Sequence, residues 1–249
     1  MDLKGRKIIL TGGVRGLGRC IAQKLVAITA SVTVFDHDRT GLDDLQNQHR
    51  EIKCVECDVS NYSQVAESMA EYFATSGCPD VVINNAGILY SAPLIRISAD
   101  GIEKHNAAMW DKVLATDLSS VFYVTSFAVE RMVATRTKGV IVNISSVSAS
   151  GNAGQSAYSA AKAGVNALTA VWAKELGALG IRVVAVAPGF SETESTKEAL
   201  SDSMLRETIK KVPLRRLAKP EEIADGVLHA IQNDFFNGKV LELDGGLVV

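Results

Sequence analysis

Short apolar runs alternate with amphipathic stretches along the whole chain. KIILTG at 7–12 predicts a first strand. From Gly18 to Ala30, apolar Ile21, Leu25 and Ile28 fall on one helical stripe. SVTVFD (31–36) and IKCVECDV (52–59) predict two more strands, and Val65, Met69 and Phe73 mark the helix that follows. DVVINNAG (80–87), GVIVNISS (139–146), IRVVAVAPG (181–189) and GKVLELDGG (238–246) complete a set of about seven. These runs are continuous and rich in Val and Ile, the pattern of strands buried on both faces. Strand–helix alternation implies right-handed crossovers and a parallel sheet with helices on both sides. No linker, repeat or low-complexity segment interrupts it. The prediction is one doubly wound α/β domain over 1–249.

Composition changes little in this picture. The 249 residues are 47% hydrophobic and 22% charged, an ordinary globular profile long enough to bury a sizeable core. A formal net charge of -2 gives no electrostatic drive toward nucleic acid or anionic membrane. The opening MDLKGRKIILTGG is too polar for a signal peptide, and no apolar run reaches the roughly 20 residues that span a bilayer. A cytoplasmic protein is expected. Cys54 and Cys57 form a C-x-x-C, but no second Cys or His pair stands nearby to complete a zinc site. Positions three apart on a strand also face opposite sides. His37, His49, His105 and His229 show no ligand spacing, so no metal site is expected.

Chemistry enters at two places. Between the first strand and first helix lies TGGVRGLG, with Gly12, Gly16, Leu17 and Gly18. Glycines there permit a tight turn and let backbone N–H groups approach a pyrophosphate at a helix N-terminus. Asp36 ends the second strand, near the ~20-residue offset at which an acid meets the adenosine ribose. The second place is SAYSAAKAGV at 156–165, where Tyr158 and Lys162 stand one helical turn apart among small residues. A free phenol, with a pKa near 10, is a poor base at neutral pH, and a nearby ammonium lowers that value.

Further motifs stand in one order: NNAG at 84–87, ISS at 144–146, YSAAK at 158–162 and APG at 187–189, then PLRRLAKPEEIA and LELDGG. On these motifs the chain resembles the short-chain dehydrogenase/reductases, over essentially its whole length. The resemblance implies a Rossmann-type sheet and hydride exchange between a nicotinamide cofactor and a secondary alcohol or ketone. It implies that Gly12 to Gly18 cradle the phosphates, Asp58 and Val59 flank the adenine, and Asn85, Ala86 and Gly87 line the passage beneath the ribose. Pro188, Gly189 and Thr193 would reach the nicotinamide. Tyr158 would exchange the substrate proton, Ser146 would bond the reacting oxygen, and Lys162 would hold the ribose and depress the Tyr158 pKa. One position departs from the family. WDKVLATDLSSVF (110–122) aligns with a segment that usually ends V-N-L, and the Asn is Asp117 here. In the family that Asn supports a water-mediated proton path to the Lys. An ionised Asp accepts but cannot donate, and a carboxylate near Tyr158 opposes phenolate formation. Either the relay tolerates Asp117 or turnover is impaired.

Asp36 favours NAD, since its carboxylate repels a 2′-phosphate; Arg15, with Arg39 as an assisting cation, argues for NADP as the alternative. The longer stretch from Gly87 to Trp110 and the short IQNDFFNGKVLELDGG resemble type 2 3-hydroxyacyl-CoA dehydrogenases within the family. NADPH-dependent 3-oxoacyl-carrier-protein reductases are the alternative, although a docking Arg they carry is Leu179 here. A non-catalytic dinucleotide-binding subunit is the alternative of another class, opposed by the intact Ser146, Tyr158 and Lys162. A substrate loop is expected near 88–109 and a lid near 190–211. The family tail and the apolar GLVV end imply a homotetramer acting on a small alcohol, ketone or acyl thioester, with no nucleic-acid or membrane partner.

Overall fold

In the computed structural model, residues 1–99, 101–194, 196 and 202–247 are described. Seven strands form one sheet, in the order β3-β2-β1-β4-β7-β8-β9, and every pairing in it is parallel. They are β1 (Lys7–Thr11), β2 (Ser31–Asp36), β3 (Lys53–Glu56), β4 (Val81–Asn84), β7 (Gly139–Ile144), β8 (Ile181–Pro188) and β9 (Val240–Leu243). All seven predicted strands are present: β2 spans the predicted residues and the other six are trimmed at their ends.

The side-chain period of two sorts each strand between two apolar layers. Ile8 and Leu10 of β1 join one layer, and Ile9 joins the other. Val140 and Val142 of β7 are likewise separated from Ile141. The first layer is closed by α1 (Gly16–Ala27), α2 (Arg39–Gln48) and α8 (Pro220–Gln232). The second is closed by α3 (Tyr62–Ser76), α5 (Ser120–Ala134) and α6 (Ser156–Leu176). Each fully buried Val, Leu or Ile contributes about 1.5–3 kcal/mol. Cys54 packs against the first layer and Cys57 is buried in the second, so the C-x-x-C thiols are divided by the sheet. Burial pushes the Cys54 thiol up to about 11.

Three local differences from the sequence reading have plain causes. Helix α1 begins at Gly16, inside the glycine turn, and ends at Ala27. Its end comes before Thr29, which adopts φ 63. The expected substrate loop holds a hairpin, β5 (Ile95–Ser98) and β6 (Gly101–Lys104), and the first residues of α4 (Ala107–Leu114). The period-two alternation of Ile95 and Ile97 carries the hairpin, and both are exposed together with Ile102. Between α4 and α5, residues Ala115–Ser119 form a π-helical turn. The expected lid includes α7 (Asp202–Lys211); its residues 195 and 197–201, like Val248 and Val249 of the GLVV end, lie outside the described residues.

The strand order reverses between β1 and β4, so the loops after these two strands diverge and leave a crevice at their C-terminal ends. All the predicted chemistry gathers there.

Candidate active site

A cleft of about 590 Å³ runs along the C-terminal edge of the sheet. Its wall includes Gly12, Arg15, Gly16, Leu17 and Gly18 from the first turn and Asp36 from the end of β2. Asp58, Val59, Asn85, Ala86 and Gly87 continue it along the middle strands. At the far end stand Asp117, Ser146, Tyr158, Lys162, Pro188, Gly189 and Thr193. Every site residue expected from the sequence except Arg39 thus lines one cavity.

The phosphate end is built from close backbone contact. Gly16 has φ 53, a left-handed conformation that favours glycine, and a Cβ there would lie 3.8 Å from the Thr193 side chain. A Cβ at Gly18 would lie 1.9 Å from the Gly12 carbonyl oxygen, so only glycine lets α1 start against the loop. Arg15, at the helix N-cap, makes no side-chain capping bond, which leaves the first-turn amides aimed at the cleft. Asn85 braces this loop from below: its amide donates to the carbonyls of Thr11 at 3.1 Å and Gly12 at 2.7 Å. The amides of Asn85 and Ala86 both donate to Thr11 Oγ1 at 3.1 Å.

Asp36 is buried, and its two oxygens accept from the amides of Val14 (3.3 Å) and Asp38 (3.2 Å). That fixes the carboxylate at the rim where a ribose diol would sit. Arg39 turns away from the cleft toward Asp43 and Glu56. Arg15 is exposed on the cleft wall. Amides at a helix start, an anchored acid and an ammonium at the far end form a donor set that fits a dinucleotide.

At the chemical end, β7 delivers Ser146 just past its last paired residue. Ser146 caps a short 3₁₀ turn, its hydroxyl oxygen accepting from the Ser148 amide at 3.1 Å. Helix α6 carries Tyr158 and Lys162 on one face. Lys162 is almost wholly buried; its Nζ donates to the Ile144 carbonyl at 3.0 Å and lies 5.5 Å from the centre of the Tyr158 ring. Asp117, fully buried, comes from the π turn. Its Oδ1 accepts from the Ile88 amide at 2.9 Å, and its Oδ2 faces Lys162 Nζ at 3.3 Å.

The charges couple. Burial raises the Asp117 carboxyl above the usual carboxylate range, against the pull of Lys162 and the Ile88 amide. Burial alone would lower the Lys162 ammonium, but Asp117 and the phenol outweigh it and hold it above its ordinary value. For Tyr158, burial is the largest influence and pushes the phenol up. Lys162 and Ser146 pull it down, while Asp117 pushes it up again. The sequence-based expectation of a depressed phenol is therefore corrected: the ammonium acts in the expected sense, but desolvation and the Asp117 charge exceed it.

Sequence reasoning missed the frame beneath these groups. Asn84 of β4 donates to Thr125 Oγ1 of α5 and to Asn143 Oδ1 of β7, both at 2.9 Å. Asn143 in turn donates to Thr169 Oγ1 of α6 at 2.9 Å. Asn residues inside Val/Ile strands are the signal that could have found it. Gln155, Ser148 and Lys112 also line the cleft and were not singled out.

A doubly wound sheet with a glycine-turn crevice and a Ser–Tyr–Lys set defines a dinucleotide-dependent oxidoreductase. The family model "short chain dehydrogenase" matches residues 6–203, and the chain belongs to that family. It is 36% identical to the 3-oxoacyl-(acyl-carrier-protein) reductase FabG of Thermotoga maritima, covering 100% of both chains. It is 33% identical to the (3R)-3-hydroxyacyl-CoA dehydrogenase of Canis lupus familiaris, over 99% of this chain and 98% of that one. Among solved structures, a putative gluconate dehydrogenase from Agrobacterium tumefaciens superposes with a TM-score of 0.88 at 29% identity, covering 100% of this chain and 98% of that one. The protein is an oxidoreductase acting on CH–OH or keto groups, with the nicotinamide dinucleotide of its family as cofactor. Among the described residues, no helix is long and apolar enough to cross a membrane.

Proposed function

We propose that the protein interconverts 3-oxoacyl and 3-hydroxyacyl thioesters with NAD(H), using Ser146, Tyr158 and Lys162. The observation that carries this reading is the convergence of those three side chains at the far end of a cleft whose near end holds Asp36. Full-length relatives named for 3-oxoacyl and 3-hydroxyacyl thioesters supply the substrate class. The bound nicotinamide would supply or accept the hydride at the carbon. Ser146 would donate a hydrogen bond to the reacting oxygen, and Tyr158 would exchange the proton with it. Lys162 would hold the ribose and fix the charge beside the phenol. The first-turn amides from Gly16 onward would bind the pyrophosphate.

NAD is favoured over NADP because Asp36 is anchored at the rim and Arg39 is engaged by Asp43 and Glu56. At about 4 Å a like-charge contact costs roughly 1 kcal/mol in water and about 4 at an effective dielectric of 20. The cysteines are unpaired, in keeping with a reducing cytoplasm.

The test is cofactor absorbance with purified protein and acetoacetyl thioesters of coenzyme A and of a carrier protein. Simple ketones and gluconate serve as comparison substrates. Thioesters should give the highest kcat/KM. Preference for gluconate, or inactivity with every carbonyl compound, would overturn the assignment.

A further inference from the structure

A buried ion pair, Lys162 with Asp117, stands beside the Tyr158 phenol. Lys162 Nζ has two partners, the Ile144 carbonyl at 3.0 Å and Asp117 Oδ2 at 3.3 Å. Asp117 Oδ1 is occupied by the Ile88 amide, and Oδ2 has no other hydrogen-bond donor. Gly87 closes the other side: a Cβ there would sit 2.7 Å from Oδ2. The carboxylate is thus locked in place, facing the ammonium, by a backbone bond and a close backbone wall. Among the described residues, Tyr158 on α6 stands beside this pair, and the other ionisable side chains on the cleft wall are Lys112 of α4, Arg15, Asp36, His37, Cys57, Asp58 and Glu194. The 85–89 segment and residues 144–148 carry no ionisable side chain.

We propose that Asp117 is a positioning residue that cancels the Lys162 charge at the reacting centre, keeps Tyr158 a phenol through neutral pH and so makes the site a carbonyl reductase that oxidises alcohols only under alkaline conditions. An uncompensated buried ammonium would stabilise a neighbouring phenolate and so ease loss of the phenol proton to water. Paired with a carboxylate, it presents a nearly neutral couple and loses most of that influence. The influences on Tyr158 run the same way, since burial and Asp117 both favour the protonated form. In reduction a bound reduced nicotinamide would supply the hydride to the carbonyl carbon. The carbonyl oxygen gains the Tyr158 proton, and the phenolate left behind is reprotonated from water. Oxidation must start from that phenolate, so its rate rises only as pH approaches the phenol's own ionisation.

This inference rests on the assignment of Tyr158 as the proton-transfer residue. The test therefore compares wild type with Asp117→Asn, Asp117→Ser and Tyr158→Phe. Tyrosinate absorbance is titrated in the cofactor-free protein, with the Tyr158→Phe curve subtracted to isolate the Tyr158 signal. The pH profile of alcohol oxidation is measured in parallel. Both neutral variants should ionise Tyr158 at least about one pH unit lower than wild type. The oxidation limb should move down with it, and the ratio of oxidation to reduction rates near neutral pH should rise. A merely structural Asp117 would lower activity and melting temperature at every pH without moving the titration, and that result overturns the inference. So does an unchanged or upward shift in whichever variant folds. Substantial activity in Tyr158→Phe would instead remove the reading of the site itself.

Discussion

Asn84 and Asn143 are hydrogen-bonded at 2.9 Å between adjacent buried strands, directly beneath the site. Two polar side chains in a Val/Ile sheet are costly unless paired, and here the pairing runs on to Thr125 and Thr169. The chain of bonds ties β4 and β7 to α5 and α6, the helices that carry or adjoin Asp117 and Lys162. Removing one member leaves a buried group unpaired. Asn84→Ala should cost about 2–3 kcal/mol in urea unfolding. A double-mutant cycle with Asn143→Ala should show coupling well above zero; simple additivity would mean the bond contributes nothing.

Gly18→Ala should cripple cofactor binding. The added methyl would meet the backbone carbonyl oxygen of Gly12 at 1.9 Å and Asn85 Nδ2 at 2.6 Å, so the phosphate loop must move. NADH affinity measured by fluorescence titration should fall at least about tenfold, a loss of about 1.4 kcal/mol. Wild-type affinity in this variant would show that the loop does not approach the phosphates.

Asp36→Ala should relax cofactor choice. It deletes the acid at the ribose rim while Arg15 stays on the cleft wall. The wild type should have the higher kcat/KM with NAD(H), and the variant should narrow the gap by about tenfold, about 1.4 kcal/mol. A wild type that prefers NADP(H) would reverse the reading of this rim.

Tyr158→Phe and Lys162→Ala should fail differently. The first keeps the ring within the small cluster around Val113, Ala157 and Ala161, so NADH binding should survive while turnover is lost. The second removes a buried ammonium bonded to Ile144 and paired with Asp117, leaving an unpaired buried acid. It should lose turnover, cofactor affinity and about 3 kcal/mol of stability together. Because Asp117 and Tyr158 hold Lys162 above its ordinary value, its contribution to stability is full below that value. That contribution declines only as pH rises through the raised one. Wild type should therefore lose stability in strong alkali more steeply than Lys162→Ala, a difference that melting curves at several pH values can detect.

The chain should assemble as a homotetramer. Apolar side chains are exposed on the hairpin (Ile95, Ile97, Ile102) and on the outer faces of α5 and α6 (Phe122, Val171). Such surface is better buried between copies than left in water. Sedimentation at micromolar concentration should give four times the chain mass; a stable monomer would contradict this.

What could be read from the sequence is what local geometry dictates. The period-two runs, the amphipathic stripes and the turn glycines each depend on neighbours a few residues away, so the strands and the order of the fold were legible. So were Tyr158 and Lys162, because one helical turn alone puts them on one face. The hairpin was within reach through the alternation of Ile95 and Ile97, but it was hidden inside a segment read as loop. Tertiary structure decided the rest. Asp117 meets Lys162 only because a π turn after α4 aims it inward and α6 packs across that turn. Asn84 meets Thr125 across 41 positions and Asn143 across 59 because crossovers bring β4, β7 and α5 together. The state of Tyr158 follows from those meetings, because burial and the Asp117 charge outweigh the ammonium that the sequence placed beside it. Charges act through distance and desolvation, and both are set by which distant segments pack together.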